Sequence, residues 1–171
     1  MQTPISSKTN LILCGFMSSG KTTIGKPLAN CLGYEFIDTD QLLTATYQMT
    51  IQEMFAKGGE AYFRDLEHEI ARKAAAMTHT VISTGGGMMT FERNAAVLAR
   101  TGIVIYIQQD FDTCYRRLAS QPNRPLVRNN TREDLHRLYL SREAYYKKYA
   151  SLTLTNPGSV KEAIQTIIDF L

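Results

Sequence analysis

Asn10-Leu-Ile-Leu-Cys-Gly-Phe-Met-Ser-Ser-Gly-Lys-Thr-Thr-Ile24 carries a short apolar run, a glycine-bounded polar loop and the opening of a helical pattern. Leu11 to Cys14 reads as a buried strand, and Gly15 to Thr22 matches G-x-x-x-x-G-K-[ST] at every defined position. In this order the pieces form a phosphate loop. Glycine lets the backbone turn tightly and bring its N–H groups around a polyphosphate, and the helix that follows adds unpaired donors and the positive end of its dipole. Ser18, Ser19, Gly20, Lys21, Thr22 and Thr23 are therefore the candidate phosphate cradle. Lys21 would reach the β- and γ-phosphates as a point charge, and the Thr22 hydroxyl would ligate Mg²⁺.

Outward from this loop, strand-like and helix-like segments alternate almost to the end of the chain. The first helix should run to about Leu32 and stop at Gly33, followed by a strand over Tyr34 to Asp38. Asp40 is expected near the cap of the next helix, and Thr50 with Glu53 reads as a capping box opening another, which Gly58-Gly59 should break. Ala61 to Met77 is helical by its apolar spacing, and Thr80 to Thr84 is a strand ending in Gly85-Gly86-Gly87. A helix near Phe91 to Arg100, a strand over Ile103 to Gln108 and a helix near Phe111 to Leu118 continue the cadence. It pauses at Ala119 to Asn130, a polar interval with two prolines that suits a mobile lid. Thr131 and Asp134 then cap a long helix to about Tyr149, Leu152 to Thr155 is a fifth strand, and Ser159 with Glu162 opens the last helix. The expected fold is a three-layer α/β/α domain on a five-stranded parallel sheet. Residues 1–9 should be a flexible N-terminus and residues 117–130 the lid. In such sheets ligands sit outside the carboxyl ends of the strands, so the phosphate loop, Asp38-Thr39-Asp40 and the triple glycine should share one rim.

A chain of 171 residues is long enough for one core without staples. Its net charge is +3 with the basic residues dispersed, which argues against a nucleic-acid partner and allows small anions. Cys14, Cys31 and Cys114 are odd in number and lack C-x-x-C spacing, as suits three reduced, mostly buried thiols of a cytoplasmic protein. No run is long and apolar enough to serve as a signal peptide or membrane span, so no membrane partner is expected. Likewise His68, His79 and His136 share no metal-ligand spacing.

Asp38 and Asp40 lie two apart at a strand end and can take separate tasks, one toward a Mg²⁺ shell and one toward an acceptor hydroxyl. Alternatively they are a turn former and a helix cap. Three successive glycines favour close approach of backbone to a ligand, either an acceptor oxygen or a hydrated metal. Arg117 and Arg124 flank or enter the lid, where a guanidinium can stack on a base or neutralise a transferring phosphoryl, with Arg128 and Arg132 as nearby competitors. Arg64 has Glu67 one turn on as a partner, and Tyr145, Tyr146 and Tyr149 should pack the long helix onto the sheet.

Together these residues resemble the shikimate kinases over nearly the whole chain. Gly15 to Thr22 is similar to that family's phosphate loop, and Asp38-Thr39-Asp40 to its D-[ST]-D segment. Phe63-Arg64 with Glu67 resembles its F-R-x-x-E helix, Thr84 to Gly87 its glycine turn, Arg124-Pro125-Leu126 its lid, and Arg142 with Tyr145 its later arginine helix. The resemblance implies a nucleoside monophosphate kinase-like fold and transfer of the ATP γ-phosphoryl to the 3-hydroxyl of shikimate, for aromatic amino-acid biosynthesis. It places Asp40, Arg64, Gly86 and Arg142 on shikimate, with the arginines on its carboxylate. ATP would lie on Ser18 to Thr23, Arg117 and Arg124, and Mg²⁺ on Thr22 directly and Asp38 through water. Lys21, Asp40 and Arg124 become the catalytic set, and Thr155 to Ser159 a further adenine contact. A monomer is expected.

The chain departs from the family pattern twice. Where R-x-P-x-Y is common it reads Arg142-Glu-Ala-Tyr145, and Ser18-Ser19 precedes Gly20 where a glycine is common first. A gluconate or nucleoside monophosphate kinase would share the loop without needing Asp38-Thr39-Asp40, Arg64 and Arg142 together. A non-catalytic nucleotide-binding module would not need every catalytic group.

Overall fold

The structure, a computed structural model, describes residues 10–121 and 124–171. The expected flexible N-terminus, residues 1–9, and two residues of the lid, 122–123, lie outside that range.

Five parallel strands, β1 (Asn10–Cys14), β2 (Glu35–Asp38), β3 (Thr80–Ser83), β4 (Gly102–Gln108) and β5 (Leu152–Thr155), form one sheet in the order β2-β3-β1-β4-β5. β1 is central, with Leu11 opposite Val81 on one side and Ile103 on the other. The period-two alternation of a strand then divides β1 between two cores. Leu11 and Leu13 face α1 (Lys21–Leu32) and α8 (Val160–Phe170) through Ile24, Leu28, Ile164 and Ile167. Ile12 and Cys14 face the opposite layer, which contains α2 (Thr39–Tyr47), α3 (Ile51–Ala75), α4 (Glu92–Thr101) and α7 (Arg132–Tyr149). The expected three layers are thus present. Asn10, fully buried, is satisfied by spanning the start of β3: its amide donates to the Met77 carbonyl at 2.7 Å and accepts from the Thr80 N–H at 3.1 Å.

A smaller apolar cluster sits under the lid. Phe16 meets Phe111, Cys114 and Leu118 of α5 (Phe111–Ala119) and Leu135 of α7. The lid is not wholly irregular, because Pro125 opens a short helix, α6 (Pro125–Asn129).

Capping boxes stand at Thr50, Thr131 and Ser159, where the sequence pattern placed them. The expected break at Gly58-Gly59 is present: Gly59 leaves helical geometry at φ 73° and ψ −168°, and the kink divides α3 into two helical stretches that pack on one core through Met54, Phe63 and Ile70. Other local expectations need correcting. Asp38, rather than Asp40, caps α2, accepting the Asp40 and Gln41 N–H groups. Cys31 is exposed, unlike Cys14 and Cys114. Tyr145 is exposed too, whereas Tyr146 lies in the core and its hydroxyl donates to the Gly86 carbonyl. The tyrosine at the end of the Arg142 motif is therefore Tyr146.

Candidate active site

At the carboxyl rim of the sheet the segments following β1, β2 and β3 open onto one cavity of about 640 Å³. Met17 to Ile24, most of the phosphate loop and the first turn of α1, line it, as do Asp38, Asp40, Gly85, Gly86, Arg117 and Arg124. Its far wall is Pro157 to Val160, which includes part of the loop after β5 expected to meet adenine.

The loop is shaped by positive-φ backbone at three residues, of which Gly15 opens it at φ 152°. Gly20, at φ 107°, leads into α1, and Ser18 holds φ 60°, a region that costs a side chain of this kind on the order of 1 kcal/mol. The Ser18 carbonyl accepts from Arg117 Nη1 at 3.0 Å, tying the α5 arginine to the loop it was expected to serve. Lys21 Nζ donates to the Gly15 and Phe16 carbonyls at 2.8 and 2.9 Å. Burial is the main cause that lowers the Lys21 pKa to about 8, against the raising influence of Cys14, Asp40, Cys114 and Asp38. Ser19 Oγ is buried without a hydrogen-bond partner.

Opposite the loop, Thr39 explains the central residue of the Asp38-Thr39-Asp40 segment. Buried at the start of α2, its hydroxyl accepts the Gly85 N–H at 2.9 Å and so fixes the triple glycine against that segment. Asp40 fills the space this creates. A Cβ on Gly85 would stand 2.5 Å from Asp40 Oδ1, closer than real atoms pack, so the bare backbone is what admits the carboxylate. Burial raises the Asp40 pKa, as does the Asp38 charge, while Lys21, Arg124 and Arg64 oppose the rise.

Arg64 and Arg142 are not part of the cavity wall and meet at the glycines beside it. Arg142 Nη1 lies 3.1 Å from where a Cβ on Gly86 would stand, and Arg64 Nη1 lies 3.1 Å from the same point on Gly87. Two guanidinium groups from α3 and α7 thus converge on one turn. Glu67, nearly fully buried, accepts from Arg64 Nη1 at 3.0 Å, as the helix spacing suggested, and burial raises its own pKa despite that partner. Arg132, an expected competitor at the lid, is held elsewhere by Asp112 and the rings of Phe111 and Tyr115.

The donor set suits a magnesium ion carried by phosphates. The Thr22 hydroxyl and Asp38 carboxylate both line the cavity and are hard oxygen donors, while among the described residues no group of three or more His, Cys, Asp and Glu could hold a metal alone. Thr84 of the glycine turn and Ser120 and Gln121 of the lid also line the cavity, as do Ser83 and Gln109, which were not singled out in the sequence. Gln109 was within reach of the strand-end rule, since it directly follows β4.

The family model for shikimate kinase matches residues 17–171. Among relatives, a shikimate kinase of Pelotomaculum thermopropionicum is 37% identical over 163 residues, 95% of each chain. Another, from Macrococcus caseolyticus, is 35% identical over 160 residues, covering 94% of this chain and 95% of that one. In three dimensions a shikimate kinase from Acinetobacter baumannii, solved in complex with shikimate, superposes with a TM-score of 0.88 at 33% identity, over 96% of this chain and 93% of that chain. Sequence, fold and the chemistry of the rim agree from one end of the alignment to the other, and this chain belongs to the shikimate kinase family.

Proposed function

We propose that this chain phosphorylates the 3-hydroxyl of shikimate from ATP, with the residues of the described rim in the following roles. The observation that carries the assignment of roles is the meeting of Asp40, Arg64 and Arg142 at the triple glycine, directly beside the phosphate loop. An acidic polyol needs cations at one end and an acceptor at the other, and this corner supplies both.

Arg64 and Arg142 hold the carboxylate of shikimate, and Gly86 lets its ring approach the backbone. Asp40 accepts the proton of the 3-hydroxyl as that oxygen forms its bond to the γ-phosphorus and the bond from γ-phosphorus to the bridging oxygen breaks, leaving ADP. A raised carboxylate pKa suits this task, because proton transfer works best from a base poised nearer the operating pH. Ser18 to Thr23 cradle the phosphates, and Lys21 and Arg124 offset charge on the transferring group. Arg117 and the loop after β5 hold the adenine. Bound Mg²⁺, on Thr22 and through water on Asp38, would neutralise β- and γ-oxygen charge. Closure of residues 117–130 excludes water that would otherwise waste ATP.

We further infer a single functional domain over residues 1–171, acting as a cytoplasmic monomer without nucleic acid. The single sheet supports one domain and the dispersed charge the lack of a nucleic-acid partner. The test is ADP release from ATP and Mg²⁺ with shikimate, gluconate or quinate as acceptor, and Lys21→Ala as the blank. Shikimate-dependent turnover that Asp40→Asn lowers at least a hundredfold, with ATP affinity unchanged, is expected; near-normal turnover in Asp40→Asn removes its proposed role.

A further inference from the structure

Phe91 breaks a local rule. It is the N-cap residue of α4, a position that favours Ser, Thr, Asp or Asn because their side chains satisfy an orphan N–H, and it makes no side-chain cap bond. A sequence that forgoes such a cap gains something elsewhere. Here the ring lies against Arg64: the guanidinium carbon stands 4.4 Å from the Phe91 ring centroid and 5.1 Å from that of Phe63.

The rest of the guanidinium is sparsely held. Nη1 has the Glu67 carboxylate, whereas Nε is buried without a hydrogen bond and has only an ion pair at 3.6 Å with the exposed Glu60 carboxylate, which water screens. Two aromatic rings therefore supply much of what water would otherwise give this desolvated cation. They also restrict its direction. With the rings in contact and Glu67 on Nη1, both terminal nitrogens stay at Gly87, where Arg142 also arrives.

We propose that Phe91 is a positioning residue for acceptor recognition: its ring clamps Arg64 so that the guanidinium edge is preset for the carboxylate of the acceptor. This rests on the reading of the chain as a shikimate kinase. Phe91 itself touches no reacting atom, so its removal should weaken acceptor binding and leave phosphoryl transfer and nucleotide binding alone. It should also weaken discrimination between a carboxylate and its neutral ester, because only the former uses the aligned cation.

The experiment compares wild type, Phe91→Leu and Phe91→Tyr with shikimate and with shikimate methyl ester, measuring KM for each acceptor, KM for ATP, kcat and the thermal midpoint. Phe91→Leu keeps apolar volume and loses the π face; a cation–π contact at a desolvated site corresponds to about a threefold to thirtyfold rise in KM for shikimate. The ester and ATP values and kcat should stay within twofold, and Phe91→Tyr, which keeps the face, should match wild type. If Phe91→Leu binds shikimate as wild type does, or loses both acceptors equally, the clamp is refuted. Should Phe91→Leu fail to fold, Phe91→Tyr and Phe91→Met decide by the same acceptor ratio. Failure of wild type to turn over shikimate at all would instead overturn the underlying assignment.

Discussion

Gly85→Ala is the most incisive single change this fold offers, since one methyl group acts on one carboxylate. The new Cβ would stand 2.5 Å from Asp40 Oδ1 and 3.1 Å from both Cγ and Oδ2, where ordinary contact begins at 3.4 Å. The carboxylate must therefore retreat by about 0.9 Å at its nearest atom, and neighbours limit where it can go, because Asp40 lies in the first turn of α2 and is half-buried. Gly85 itself is not among the positive-φ residues, so alanine adds no backbone strain there. Displacing a reacting group by about 1 Å costs on the order of 10²-fold in rate. The expected result is a kcat lowered by about that factor, an ATP dissociation constant within twofold of wild type and a thermal midpoint nearly unchanged. Coupled ADP-release kinetics, calorimetric titration with ATP and a thermal melt measure the three. A kcat within threefold of wild type would refute the reasoning, because it would mean that Asp40 need not occupy the space Gly85 leaves.

Two further outcomes are expected. Lys21, held near pKa 8 chiefly by burial, is increasingly neutral above that pH in the free protein. Triphosphate would restore its proton, so ATP affinity should fall by up to about tenfold per pH unit above 8, with proton uptake visible as a dependence of binding heat on buffer ionisation enthalpy; a flat profile from pH 7 to 9.5 would contradict this. Gly33→Ala forces alanine to φ 67° at the end of α1, where nothing lies within 4 Å of the added Cβ. It should cost about 1 kcal/mol and lower the midpoint by roughly 2–4 °C while leaving kcat unchanged, the reverse of Gly85→Ala.

The fold was legible because β1 and the alternating segments have strong period and clear stops: Gly33, the three capping boxes and the strand ends fall within a residue or two of expectation. The break at Gly58-Gly59 was legible too, since Gly59 takes a φ of 73° that kinks α3 there while the apolar faces on either side share one core. Failures arose where tertiary contacts overrode local signals. Asp38 and Asp40 both suit an N-cap and both line the cavity, and only the bonds from the Asp40 and Gln41 N–H groups to Asp38 show which of them takes the cap. Among the tyrosines, helix phase rather than composition decides, burying Tyr146 and leaving Tyr145 in solvent. In the site, motif residues were found by type and spacing. Gln109 and Phe91 were not, because a lone glutamine or phenylalanine carries no motif and acquires meaning only from its neighbours in space.

The strand order carries a consequence for how such an enzyme can change its preference. With β1 in the middle, β2 and β3 lie on one flank and β4 and β5 on the other. Asp38, Asp40, Arg64 and the glycine turn all come from the first flank, in one uninterrupted stretch of chain, whereas Arg117, Arg124 and the loop after β5 come from the second. On the proposed roles, exchanging that stretch as a cassette would replace most of the acceptor's contacts and leave the donor side intact apart from Asp38, which the new stretch would have to keep. Arg142 is the exception: α7 belongs to the later half of the chain but is fastened across the divide by Tyr146 on the Gly86 carbonyl. A transplanted acceptor half would inherit its new guest's polyol contacts and keep the old host's second cation, so carboxylates would remain the easiest acceptors to acquire.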